Sequence, residues 1–468
     1  MASYLKKIKI IKQALNHVTA QLLVLNSYFY QKIFFKMKFK NLENNIMTTN
    51  TESIQAEQTS NWQSKFRALG PGILMASAAV GGSHLIASTQ SGAIYGWQLA
   101  IIIILANLFK YPFFRFGAQY TLDTGNTLLE GYRQKGPFYL WIFAILNVFA
   151  TIINTAAVGL LCAVILSFVL PFAVPVPILS TIVLLFSLSL LLLGKYRVLD
   201  GVSKLIMISL TIATVTAVIV AMTRGAVAPP DYISATPWNL GALAFIVALM
   251  GWMPAPIEIS AINSMWVVAK RRLTKVSYHD GLFDFNVGYI GTAILALVFL
   301  ALGALVQYGS GVEVEKVGGR YIAQLINMYA VTIGEWSRLL IAFIAFACMF
   351  GTTITVIDGY SRTNVEALRL IFKKQETRQG YLNLSMLFST VSGLVVLFFF
   401  NNALAPMLQF AMIASFVSTP IFATLNLLLV MKGEHKISGG LYWLSIIGLI
   451  YLTAFALLFI VQQLGLLG

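Results

Sequence analysis

Charge is what this chain has least of. Its 468 residues include 17 Asp and Glu, 32 Lys and Arg, and 4 His. Charged residues make up 10% of the chain, against about 25% in soluble domains. So few charges cannot clothe a water-facing surface, which excludes an ordinary soluble protein. Cysteine is nearly absent too. Cys162 and Cys348 each sit in an apolar run, and neither belongs to a metal-spacing pattern. That excludes a disulfide scaffold and a cysteine metal cluster. No nucleophile motif, phosphate loop or zinc-enzyme spacing occurs, so neither an enzyme nor a bound cofactor is expected.

What is present is apolar. Hydrophobic residues make up 58% of the chain, and mean hydropathy is +0.80. The chain reads as an all-α integral membrane protein with one transmembrane domain over 66–468. Residues 1–65 read as a separate tail, basic and then polar, with the composition of a disordered segment. A basic amphipathic anchor on anionic lipid is one reading of it. The favoured reading is a tail without a role, with Met47 as a candidate true start.

Eleven apolar spans are expected, each near the roughly 20 residues needed to cross a bilayer. They cover 70–93, 97–117, 138–170, 177–194, 202–223, 240–268, 286–308, 338–360, 382–400, 404–431 and 440–464. Lys and Arg near the span ends number 19 on one side, from Lys65 to Lys436, and 4 on the other, Arg224, Lys316, Arg320 and Arg338. The positive-inside rule then places the N-terminus in the cytoplasm of a cell with an inner, cytoplasmic membrane, and the C-terminus outside. The net charge of +15 is thereby topological, and no nucleic-acid partner is expected.

Two spans are interrupted. The first reads Val80-Gly81-Gly82-Ser83-His84 at its middle, where paired glycines and a serine are poor helix formers. The sixth reads Gly251-Trp252-Met253-Pro254-Ala255-Pro256, and each proline lacks an N–H and clashes with the turn before it. Irregular backbone at membrane depth is tolerated where it is buried in protein or lines a cavity. Interrupted spans at corresponding places in two halves point to a transporter site. Spans 1–5 (70–223) and 6–10 (240–431) form two units, each starting with its broken span. Five is odd, so the second unit is inverted: a LeuT-type 5+5 repeat with helices 1 and 6 broken and an eleventh helix at 440–464.

Several motifs then resemble one family. Gly70-Pro71-Gly72-Ile73-Leu74, Gln90-Ser91-Gly92-Ala93-Ile94-Tyr95-Gly96 and Leu105-Ala106-Asn107 are similar to the first two spans of Nramp proteins. Met253-Pro254 resembles the family's sixth-span Met-Pro-His, and Thr352-Thr353-Ile354-Thr355 its eighth-span Ser-Thr-Ile-Thr. The resemblance runs over about 66–430. It implies a secondary transporter that imports a divalent metal such as manganese or iron, usually with protons. Where the family has Asp-Pro-Gly-Asn this chain has Gly81-Gly82-Ser83-His84, so the carboxylate ligand is missing and His84 stands where Asn would be. Met250 aligns with the family's Ala, Met253 keeps the Met ligand, and Ala255 replaces the His. The spans at 138–170 and 382–400 lack the family's ionisable residues.

The candidate substrate-binding residues are therefore Gly81, Ser83, His84, Met250 and Met253. Imidazole and thioether suit transition metals. Glu258, one turn after Pro254, is a candidate for the missing negative charge or for a proton role. Lys110, the other intramembrane charge singled out, snorkels to the inner face or pairs with an acid such as Glu258 or Asp358. Asp358 and Arg362, four apart, are expected to pair on one helix face. The expectation is a divalent metal ion moved through a lipid bilayer without strict proton coupling. The alternatives are a LeuT-type carrier of a small organic solute such as an amino acid, and a non-transporting relative.

Overall fold

The computed structural model describes residues 62–466 except Lys195, Ser234, 316–317, 400–402, 432–435 and 438. The expected tail therefore lies outside the described residues up to position 61. The described residues contain helices and no strand. In chain order these are α1 Trp62–Ala68, α2 Pro71–Ala79, α3 Ser83–Tyr95, α4 Ala100–Thr124, α5 Leu128–Lys135, α6 Pro137–Leu166, α7 Val176–Leu192 and α8 Tyr196–Arg224. They continue with α9 Leu243–Gly251, α10 Ile259–Leu273, α11 Tyr278–Val306, α12 Gly318–Ile333, α13 Ser337–Ile371, α14 Gln379–Phe399, α15 Leu404–Val430 and α16 Gly439–Gln463. Among the described residues eight helices are long and apolar enough to cross a membrane, and the bent pair α2–α3 makes a ninth. Shorter apolar helices occupy Val176–Leu192 and Leu240–Gly251.

Two helix ends lie next to the glycines Gly81 and Gly82 and the prolines Pro254 and Pro256. Helix α2 ends as Val80 turns extended and gives its N–H to Ala76. Helix α3 departs at 51° to α2, and its first turn, Ser83–Ser88, is wound wider than an α-helix. Helix α9 ends at Gly251 and α10 begins at Ile259, leaving Trp252–Glu258 between them outside the helices. The two interruptions touch. A Cβ on Gly82 would lie 2.9 Å from Trp252 and 3.1 Å from Leu161, so only glycine lets the indole pack there.

Helix α11 packs along α2, α3 and α4. Its approach to α3 is backbone to backbone. A Cβ on Gly92 would sit 2.0 Å from the Leu300 carbonyl oxygen, and one on Gly303 2.1 Å from that of Thr89. Small residues at such crossings are the membrane solution to packing without a hydrophobic driving force. At the other end Asp284 of α11 accepts the Gly70 N–H at 2.9 Å and the Gly72 N–H at 2.6 Å. That puts a carboxylate on the positive end of α2. Helix α6 packs along α13, α14 and α15, and α9 packs on α15.

The observed helices differ from the expected spans mainly at one end. Helix α4 continues to Thr124, α11 begins at Tyr278, and α13 continues to Ile371. The α13 extension carries charge pairs. Asp358 and Arg362 pair at 2.7 Å, as their spacing suggested, and Arg369 pairs with Glu366 at 2.6 Å.

Candidate functional site

The two interruptions and the helices α6 and α13 border a small cavity of about 40 Å³. Gly81, Gly82 and Ser83 line it from the first interruption, and Trp252, Ala255 and Pro256 from the second. Asn154 of α6 and Thr352 and Tyr360 of α13 supply its remaining polar groups. Among the described residues no three His, Cys, Asp or Glu side chains converge anywhere to hold a metal. The donors that face this cavity are hydroxyl and amide groups. A larger hollow of about 690 Å³ lies elsewhere, between residues such as Val148, Leu368, Phe372 and Phe388.

Of the five candidates from the sequence, Gly81 and Ser83 line the cavity, while His84, Met250 and Met253 stand behind its wall. The His84 ring is fully buried and both of its nitrogens are engaged. Nε2 lies 3.0 Å from the Thr292 carbonyl oxygen, which can only accept, so Nε2 carries the proton. Nδ1 then accepts from the Ser83 hydroxyl at 2.8 Å. An ion would have to displace that hydroxyl to reach the imidazole lone pair. The Met250 sulfur accepts from the Tyr451 hydroxyl at 3.3 Å. The backbone carbonyls that the first interruption frees are also occupied: Cys348 donates to Val80, and the Gly81 oxygen receives the N–H groups of His84 and Leu85.

Lys110 does not snorkel. It is fully buried, and its ammonium donates to the carbonyls of Met250, Gly251 and Ala255 at 2.6, 2.8 and 3.3 Å. The energetic reason is that three carbonyls at an interrupted helix end satisfy all three ammonium hydrogens.

Glu258 reaches the cavity through a relay. The Tyr360 hydroxyl donates to Glu258 Oε1 at 3.0 Å and accepts from Asn154 Nδ2 at 2.9 Å. The other oxygens of these two groups, Glu258 Oε2 and Asn154 Oδ1, are buried with no partner among the described residues. Buried polar atoms normally find a partner, so such exceptions call for a reason. Asn154 and Tyr360 were not among the candidates from the sequence. A signal for Asn154 was there: Asn147, Thr151, Asn154 and Thr155 fall at helical spacing along an otherwise apolar span. That stripe faces α13, where Asn147 donates to Thr363 and Asn364, and Asn364 donates to Thr151.

Comparison with known proteins follows the same outline. The family model described as natural resistance-associated macrophage protein-like matches residues 72–462. An uncharacterized protein of Pasteurella multocida is 75% identical over 418 residues, 89% of this chain and 96% of its own. A protein named divalent metal cation transporter MntH, from Staphylococcus saprophyticus, is 23% identical over 312 residues, 63% of this chain and 68% of its own. A crystal structure of a mutant Eremococcus coleocola manganese transporter superposes with a TM-score of 0.65 at 17% identity, covering 87% of this chain and 88% of that one. A nucleobase-cation-symport-1 family transporter in a closed conformation superposes with a TM-score of 0.54 at 14% identity, covering 84% and 93%. At these identities the two structures speak for the fold alone.

Proposed function

We propose, because this chain belongs to the natural resistance-associated macrophage protein-like family, that it moves a divalent metal ion of the manganese and iron class across the cytoplasmic membrane by alternating access. Members of that family are multi-pass membrane transporters and not enzymes. We read the architecture as eleven spans in a LeuT-type inverted repeat. These are the eight long helices, the bent pair α2–α3, the shorter α7, and α9 with α10 as the broken sixth span. The N-terminus then lies in the cytoplasm and the C-terminus outside.

The observation that carries this reading is the size and lining of the cavity between the interruptions. Sites for organic ligands usually measure about 300–1,000 Å³. A volume of about 40 Å³ holds one ion with a few waters, since a water needs roughly 10–15 Å³ on the same measure. Oxygen donors suit manganese within the class. The unpartnered Asn154 Oδ1 and the Ser83 and Thr352 hydroxyls are the groups that would meet the ion. Glu258, joined to Asn154 through Tyr360, would supply negative charge. His84, Met250 and Met253 would reach the ion only after a rearrangement of the interruptions.

The coupling is proposed to be loose. Helix α6 and the described part of the span at 382–400 carry no Asp, Glu, His, Lys or Arg, and proton relays through membranes are built from such groups. The membrane potential is sufficient for accumulation. It is worth about 2.3 kcal/mol per charge per 100 mV, hence about 4.6 kcal/mol for a divalent ion, or more than three decades of concentration.

The test is uptake into proteoliposomes under an inside-negative potential, with manganese, iron, cadmium, magnesium, calcium and a panel of amino acids. Saturable manganese or iron uptake is expected. Amino-acid uptake without metal uptake would favour an organic cargo, and binding without flux would favour a sensor.

A further inference from the structure

We propose that the carbonyls of Met250, Gly251 and Ala255 form a monovalent-cation site, and that the Lys110 ammonium is a tethered cation filling it. The cradle comes from the sequence. Pro254 has no N–H, so the Met250 carbonyl loses the bond an uninterrupted helix would supply four residues on and keeps only a long backbone contact, from the Met253 N–H at 3.3 Å. Gly251 is the last residue of α9, where carbonyls lack helical partners and the helix dipole places its negative end. The Ala255 carbonyl is bypassed as α10 starts, because the Ile259 N–H bonds to Pro256 instead. Three carbonyls thus converge on one point from an unwound segment and the C-terminus of a half-helix. In transporters with discontinuous helices, that combination coordinates a coupling cation such as sodium.

Here the point is taken by Nζ of Lys110, at 2.6, 2.8 and 3.3 Å from the three oxygens. An ammonium is a compact point charge with three donors, so it substitutes for an inorganic cation in both charge and contact number. Its stem runs from α4, which lies outside both interruptions. The charge therefore cannot leave the protein. It links α4 to the second interruption. A carrier built this way needs no free sodium or potassium at that position, and its folded state should not respond to either ion.

Lys110→Met removes the charge, keeps much of the stem, and empties the cradle. The assay is the thermal melting of the full-length protein in detergent, titrated with sodium chloride or potassium chloride against choline chloride at constant ionic strength and without divalent metal. The wild-type curve is expected to be flat. The variant is expected to gain a saturable, ion-specific rise of roughly 2–5 °C. A folded variant with no ion response would overturn the proposal, as would saturable sodium stabilisation of the wild type. Lys110→Ala, with methylammonium chloride added as a free replacement for the missing head group, gives a second variant. Methylammonium should stabilise it where choline does not, and equal responses would count against the cradle. If neither variant folds in any salt, the wild-type titration alone decides: a flat curve upholds the proposal and a saturable one overturns it. No transported metal enters these measurements, so failure of the metal-transport reading and failure of the tethered cation are separately visible.

Discussion

The hydroxyl of Tyr360 joins Glu258 to the cavity, and Tyr360→Phe removes it while keeping the ring. The ring remains, so no cavity term is added. Two buried hydrogen bonds are lost, one to a carboxylate and one from an amide. The first is worth about 1.5–3 kcal/mol and the second about 0.5–1.5 kcal/mol, so the substitution should cost about 2–4.5 kcal/mol of stability. Both Tyr360 and Glu258 are buried, and water cannot replace the missing partner without rearrangement. A drop of several degrees in melting temperature follows. The functional effect is separate. Asn154 loses the contact that orients its amide, and loss of such a supporting group lowers metal affinity by about 10–100-fold. The assay is manganese binding by calorimetry on detergent-purified wild type and variant, with melting measured on the same samples. A variant that melts early but binds manganese with unchanged affinity would refute the functional part of the reasoning. One unchanged in both would refute the relay itself.

Other expectations follow from the same geometry. His84→Ala should weaken manganese binding less than Asn154→Ala does, because His84 is turned toward Thr292 and Ser83; calorimetry on both variants would place His84 on the ion if the order were reversed. Gly303→Val should prevent accumulation of folded protein, since a Cβ there would lie 2.1 Å from the Thr89 carbonyl oxygen; normal yield and melting on size-exclusion and thermal assays would contradict the close α3–α11 crossing. Under a clamped potential, a pH-sensitive dye inside proteoliposomes should report no acidification that tracks manganese entry. Acidification that does track it, and that disappears in Glu258→Gln, would mean that protons are coupled through Glu258.

The all-helical, many-span character was legible in the sequence because apolar runs are local, and the causes assigned to the two proposed interruptions are local too. Gly81 and Gly82 remove helix propensity, and Pro254 and Pro256 remove donors, whatever surrounds them. The resemblance to the family was legible for a related reason: its framing motifs are contiguous. What escaped was assembled across the chain. Asn154, Tyr360 and Glu258 come from three different helical regions, and nothing in their spacing says that they meet. Lys110 reads as a snorkelling residue until the position of the Met250, Gly251 and Ala255 carbonyls is known. His84 fits a ligand by residue type, yet its ring nitrogens are spent on Ser83 and on a carbonyl of α11. Hydropathy also stops short where helices continue. Helix α13 extends past its apolar stretch on the pairs Asp358–Arg362 and Glu366–Arg369. Helix α12 mixes Arg320, Gln324 and Asn327 among its apolar residues, so it gave no membrane-span signal.

The most direct measurement is the anomalous-scattering map of a manganese-soaked crystal of the full chain. A peak is expected between the two interruptions, within coordination distance of Asn154 Oδ1 and the hydroxyls of Ser83 and Thr352, with Lys110 still on its three carbonyls. A peak bound to His84 and Met253 with Asn154 uninvolved would contradict the site described here, and a soaked crystal with no peak between the interruptions would contradict a metal cargo there.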